Sequence, residues 1–160
     1  YVLEYLYNPV EYLTFLTKML KVGGKIIIVT PNLNDVLKDV WNIKGYLNFF
    51  YDEHAVNYFS IKSIKRLMKK INISNFKVTC KQDYSIINHF NWYLNERPIT
   101  TNMVGGDYFV ENLINKFKNE KNKLNLSNKI INLISKFDAN YKSILNKNNL
   151  GNQIKLIIRN

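Results

Sequence analysis

Apolar positions along the chain fall into two kinds of pattern, and their alternation outlines the fold. Val10, Leu13, Leu16 and Leu20, with Phe15 and Met19, recur at helical spacing. Asn8 can cap that helix, Pro9 suits its first position, and Glu11 favours the positive end of its dipole. Gly23-Gly24 stops it, and KIIIVT (residues 25–30) follows as a β-branched run without alternation, the pattern of a strand buried on both faces. Ser60 opens a second helix reaching to about Asn72. Ile61, Ile64, Leu67, Met68 and Ile71 form its inner face; Lys62, Lys65, Arg66, Lys69 and Lys70 form its outer face. Phe76, Val78 and Cys80 alternate with Lys77, Thr79 and Lys81 as a strand, and Ile154, Leu156 and Ile158 do so in the last one. Between them, residues 86–94, 108–118 and 126–146 read as helices, with a polar stretch at 119–125.

This order, helix, tight turn, buried strand, helix, strand, is that of an α/β unit with a layered sheet. The pattern gives one domain over residues 1–160 with a helical insertion at about 85–150 before the last strand, and no repeat or linker marks a second boundary. The 160 residues suffice for a real core, and 46% hydrophobic with 22% charged residues excludes wholesale disorder. The longest apolar run, residues 26–29, is far short of the roughly 20 needed to span a bilayer. A single cysteine, Cys80, excludes a disulfide framework and points to a reducing, cytoplasmic setting.

Charge is strongly basic, +11 from 23 Lys and Arg against 12 Asp and Glu. That balance can signal nucleic acid or an anionic surface. Only Arg66, Arg97 and Arg159 are arginines, however, and arginine is the residue that reads phosphate and guanine bidentately. Nucleic acid is therefore not the expected partner, and a basic, non-catalytic module for RNA or an anionic surface stands as the alternative reading.

The densest chemistry is Tyr51-Asp52-Glu53-His54. A histidine beside a carboxylate can act as a general base and a tyrosine can orient or donate a proton; a polar surface loop would look the same. Two histidines and one cysteine, not at ligand spacing, give no metal site. Gly23-Gly24 leads into a strand and Gly105-Gly106 follows none, so neither is a dinucleotide phosphate loop.

In order, Val2-Leu3-Glu4-Tyr5-Leu6, Asn8-Pro9, Leu20-Lys21-Val22-Gly23-Gly24 and residues 26–32 ending Thr-Pro-Asn resemble the second half of a class I S-adenosylmethionine-dependent methyltransferase, with Tyr5 where that family usually has His and Val22 where it has Pro. Tyr51-Asp52-Glu53-His54, followed by Tyr58-Phe59-Ser60 and a basic helix, resembles a segment of sugar C-methyltransferases and related enzymes. The resemblance implies a Rossmann-like sheet of which this chain carries the last three strands, S-adenosylmethionine as cofactor, and a small-molecule acceptor. It implies catalytic roles for Tyr51, Glu53 and His54, substrate contacts from Asn32, His89 and Trp92, and a cofactor contact from Tyr1. The family's Gly-rich turn and acidic strand end have no counterpart here, so the resemblance implies a C-terminal fragment, inactive alone, whose first strand lacks an inner neighbour. An unpaired apolar edge favours association. The expected outcome is a chain of low stability in isolation; a cooperative, high-temperature melt of a monomer contradicts it.

Overall fold

The computed structural model describes residues 1–97, 115–116 and 121–160. The helix expected at 108–118 and the Gly105-Gly106 break lie, apart from residues 115–116, outside these. A 3-10 turn (Leu3–Tyr5) leads to α1 (Pro9–Lys18), β1 (Lys25–Pro31), α2 (Val36–Asp39), α3 (Lys44–Phe50), α4 (Ile61–Lys70), β2 (Phe76–Lys81), α5 (Ile86–Asn95), α6 (Lys121–Lys147) and β3 (Gln153–Arg159). The caps behave as the sequence dictates: the Asn8 side chain accepts the Glu11 N–H ahead of α1, and Ser60 and Ser63 form a reciprocal capping box on α4.

The sheet has three strands in the order β1-β3-β2, and β3 runs antiparallel to both neighbours. Pairing runs from Lys25 opposite Arg159 to Pro31 opposite Gln153, and from Phe76 opposite Ile158 to Lys81 opposite Gln153. The fold is thus mixed α/β with antiparallel pairing. β1 and β2 nevertheless point the same way, joined by a helical crossover through α2, α3 and α4, with the returning β3 inserted between them. Among the described residues β1 has a partner on one side only.

Ile154, Leu156 and Ile158, none more than 1% exposed, turn one face of the central strand toward Leu13 of α1 and Ile64 and Met68 of α4. This is the main core. The opposite face is covered less: Ile27 is 48% exposed, and Ile157 and Val29 are half-buried. The expectation that residues 25–30 are buried on both faces is therefore corrected. β1 alternates, because the described helices α1 and α4 pack on one side of the sheet, and its apolar composition exceeds what that one side buries. A second core gathers Val36, Leu37, Ile43, Tyr46, Trp92 and Leu145 around α2, α3, α5 and α6. No described helix is long and apolar enough to cross a membrane.

The two cores meet where β1 and β2 end and β3 begins. The Asn32 amide donates to the carbonyls of Asn149 at 2.9 Å and Gly151 at 2.7 Å, and its oxygen accepts the Asn34 N–H. Gly151 lies so close to β2 that a Cβ there would sit 2.7 Å from the Lys81 carbonyl carbon, so only glycine fits. Asn32→Ala leaves two carbonyls in a closed site without their donor. The expected loss is about 1–3 kcal/mol, read by chemical denaturation.

Candidate functional site

The Tyr51-Asp52-Glu53-His54 segment follows α3 directly. Tyr51 closes that helix by donating its N–H to the Leu47 carbonyl at 3.0 Å, and the chain then turns outward. One carboxylate oxygen of Asp52 accepts the His54 backbone N–H at 2.7 Å and lies 2.9 Å from His54 Nδ1. A carboxylate is an acceptor only, so Nδ1 carries a proton, and in the neutral ring the lone pair is then on Nε2. These two bonds, the backbone one foremost, hold the Asp52 carboxyl below its ordinary range. Glu53 Oε1 stands 3.9 Å from Nε2. Phe49, Asn48 and these four residues line an open cleft of about 480 Å³. The His54 side chain is 75% exposed, so Nε2 is open to a solute.

Aromatic packing fixes the rear of the cleft. Tyr51 stands edge-on to Tyr58 with ring centroids 5.1 Å apart, and the Tyr58 hydroxyl donates to the Asp52 carbonyl at 3.1 Å. The loop is then pinned to the chain's start: the Glu4 carbonyl accepts the N–H groups of both Val56 and Asn57, and the Asn57 amide donates to the Leu6 carbonyl. Glu4 itself is buried, its carboxylate accepting from the Thr30 hydroxyl at 3.1 Å. Residues 2–6, the end of β1 and the loop bearing His54 thus converge, although far apart in sequence.

The other residues singled out by the sequence occupy different places. Asn32 is fully buried and its polar atoms are committed to the junction described above. His89 is 1% exposed. Gln82 accepts the Asn152 N–H through its oxygen, which fixes its amide nitrogen toward His89 Nε2 at 3.0 Å. His89 Nε2 therefore accepts, and Nδ1–H donates to the Tyr141 hydroxyl oxygen at 2.7 Å. Trp92 is 4% exposed and packs against Tyr46 and Phe49, so its link to the cleft runs through Phe49. Tyr1 lies elsewhere, 59% exposed, in a groove of about 190 Å³ along β1 with Tyr12, Leu16 and residues 26–29. Burial and neighbouring Tyr84, Asp83 and Glu4 push its hydroxyl up to about 12. The structure thus brings Tyr51, Glu53 and His54 together and holds Asn32, His89, Trp92 and Tyr1 apart from them.

Sequence reasoning passed over two features. Asp52, not Glu53, is the carboxylate bonded to the histidine; an i,i+2 spacing in a turn makes that contact as readily as adjacency. The other is Asp35, 1% exposed, which caps α2 through the Leu37 N–H at 2.7 Å and accepts from Tyr46. Burial raises its carboxyl from 3.8 to about 6 despite those bonds. Burial likewise lowers His89 from 6.5 to about 4. Among the described residues no His, Cys, Asp and Glu set could hold a metal ion.

No family model matches the chain, and no curated protein does. One solved structure is similar to it, a SAM-dependent methyltransferase from Archaeoglobus fulgidus, with 14% sequence identity and a TM-score of 0.47 over 99% of this chain and 55% of that one. The chain thus spans about half the length of that structure.

Asp35 and His89 act on stability with opposite sign. Asp35 holds its proton more tightly when folded, so its contribution is present at low pH and fades as pH rises from about 4 to about 6. His89 resists protonation when folded, so its contribution is full above 6.5 and is lost as pH falls toward 4. Asp35→Asn keeps the cap and an acceptor for Tyr46 but removes the first effect. The variant is expected to match the parent at pH 4 and to exceed it by up to about 3 kcal/mol at pH 8 in denaturant titrations.

Proposed function

We propose that this chain is the acceptor-side part of an S-adenosylmethionine-dependent methyltransferase with a small-molecule acceptor, in which His54 removes the acceptor's proton. The observation that carries the reading is the oriented pair of Asp52 and His54 in an open cleft, with Nδ1 bonded at 2.9 Å and no donor on Nε2 among the described residues. It is supported by the convergence of residues 2–6, the end of β1 and the 51–58 loop, the segments that carry the sequence resemblance. The parallel course of β1 and β2 fits such a sheet as well.

The described residues do not fit the cofactor. Glu4 and Asp35, the buried carboxylates, are spent on Thr30 and on Leu37 and Tyr46, and the groove at Tyr1 is apolar along β1. Gly23 turns the chain into a strand at φ +73°, so its amides cap no helix. The proposal therefore assigns only the acceptor side to this chain. There, an acidic O–H, N–H or C–H of the acceptor lies against Nε2, and the proton moves to that nitrogen. Asp52 stabilises the resulting imidazolium through Nδ1–H, and Glu53 adds a second negative charge near Nε2. Tyr51 orients the acceptor from the cleft wall.

The test is methyl transfer from methyl-labelled S-adenosylmethionine by the full-length protein encoded by the gene, with small-molecule extracts as acceptor source. His54→Ala is expected to lower turnover by about a hundredfold, and Asp52→Asn by less, with His54→Gln failing to rescue. Unchanged turnover in His54→Ala and Glu53→Ala removes the base role; no labelled product at all removes the methyltransferase reading.

A further inference from the structure

Lys62, Lys65, Arg66 and Lys69 recur on α4 at spacings of three and four, and all four are exposed. They form one stripe about 10 Å long. Every neighbour along the stripe is a like charge, an arrangement that works against the helix. Among the described residues none of the four pairs with a carboxylate. The stripe walls a groove of about 510 Å³ whose other side is Asn34 and Asn149. Among the described residues no carboxylate lines it, and Asp39, which the Asn34 amide contacts, is already paired with Lys38.

We propose that this groove takes the phosphate backbone of a nucleic acid strand, held by charge without base readout. The inference is independent of the methyltransferase reading. An unneutralised cationic wall calls for an anion, and its length matches about three successive phosphates rather than one. The groove is broad and open, so an extended strand can lie along the stripe. Its described lining holds no aromatic side chain on which a base could stack and a single arginine, which gives no source for discrimination among bases. Lysine serves phosphate as a point charge, and for that the scarcity of arginine is no obstacle. The net charge of +11 raises the local concentration of any polyanion.

The experiment is fluorescence anisotropy of labelled oligonucleotides of about twenty residues, oligo-dT, oligo-rU and a mixed sequence, across roughly 50 to 200 mM salt. All three are expected to bind alike, with a log–log salt slope near −2, as about three phosphates of a single strand give. Lys65→Glu with Arg66→Glu is expected to weaken binding at least about tenfold and flatten the slope by about one to two. Both side chains point to solvent, so folding, followed by circular dichroism, should hold; Lys65→Gln with Arg66→Gln provides a milder pair. Lys129→Glu with Lys136→Glu changes the net charge equally from exposed positions on α6 and should cost less than about threefold. An equal loss from the α6 pair, no binding at the lowest salt, or binding of tripolyphosphate or anionic vesicles without binding of oligonucleotides overturns the proposal.

Discussion

The amide of Asn32 holds together what the sheet alone would leave apart. Three antiparallel strands fix β1, β3 and β2 side by side, but nothing in their ladders sets where the chain goes beyond Pro31. One buried side chain does so. It ties the end of β1 to the carbonyls of Asn149 and Gly151, where α6 hands over to β3, and it shapes the following turn through the Asn34 N–H. The backbone on either side adds to this: Asn32 bridges to Phe59, and the Leu33 N–H reaches the Phe59 carbonyl at 2.7 Å. Phe59 in turn separates the loop bearing His54 from the cap of α4. Both candidate sites thus connect to this point along the chain: the loop bearing His54 precedes Phe59, and α4, whose basic groove has Asn34 and Asn149 in its wall, follows it.

The elements themselves were legible because their signals are local. A capping residue, a glycine stop or a β-branched run acts over a few positions, and α1, β1, α4, β2, α5 and β3 all fall where those signals put them. What could not be read was pairing. That the last strand inserts between the first two in antiparallel sense depends on which edges are left after the helices pack, and residues 25–30 carry no mark of it. The same gap explains Ile27, which reads as core from composition and is half-exposed, because burial is decided by the number of layers and not by the strand.

The candidate site was legible as a cluster and not as a geometry. Adjacency suggests Glu53 as the partner of His54, whereas the turn gives that place to Asp52. His89 and Asn32 show the converse. Each is a polar residue that a sequence invites one to place against a ligand, and each is enclosed by groups that use all its hydrogen-bonding capacity. Burial with full satisfaction is the mark of a side chain that specifies the fold. Exposure with one satisfied and one open nitrogen, as at His54, is the mark of one that can act.

The same distinction applies to charge. Asp35 and His89 have shifted proton affinities because they are buried, and their effects stay inside the folding equilibrium. The lysines of α4 are of the opposite kind: exposed, without a carboxylate partner among the described residues and mutually repelling, they bear on the fold as a small cost. A helix with the same inner face of Ile64, Leu67 and Met68 would pack equally well with mixed charges outside. Among the described residues nothing neutralises the stripe, and a ligand that did so would stabilise the helix and fill the groove in one step.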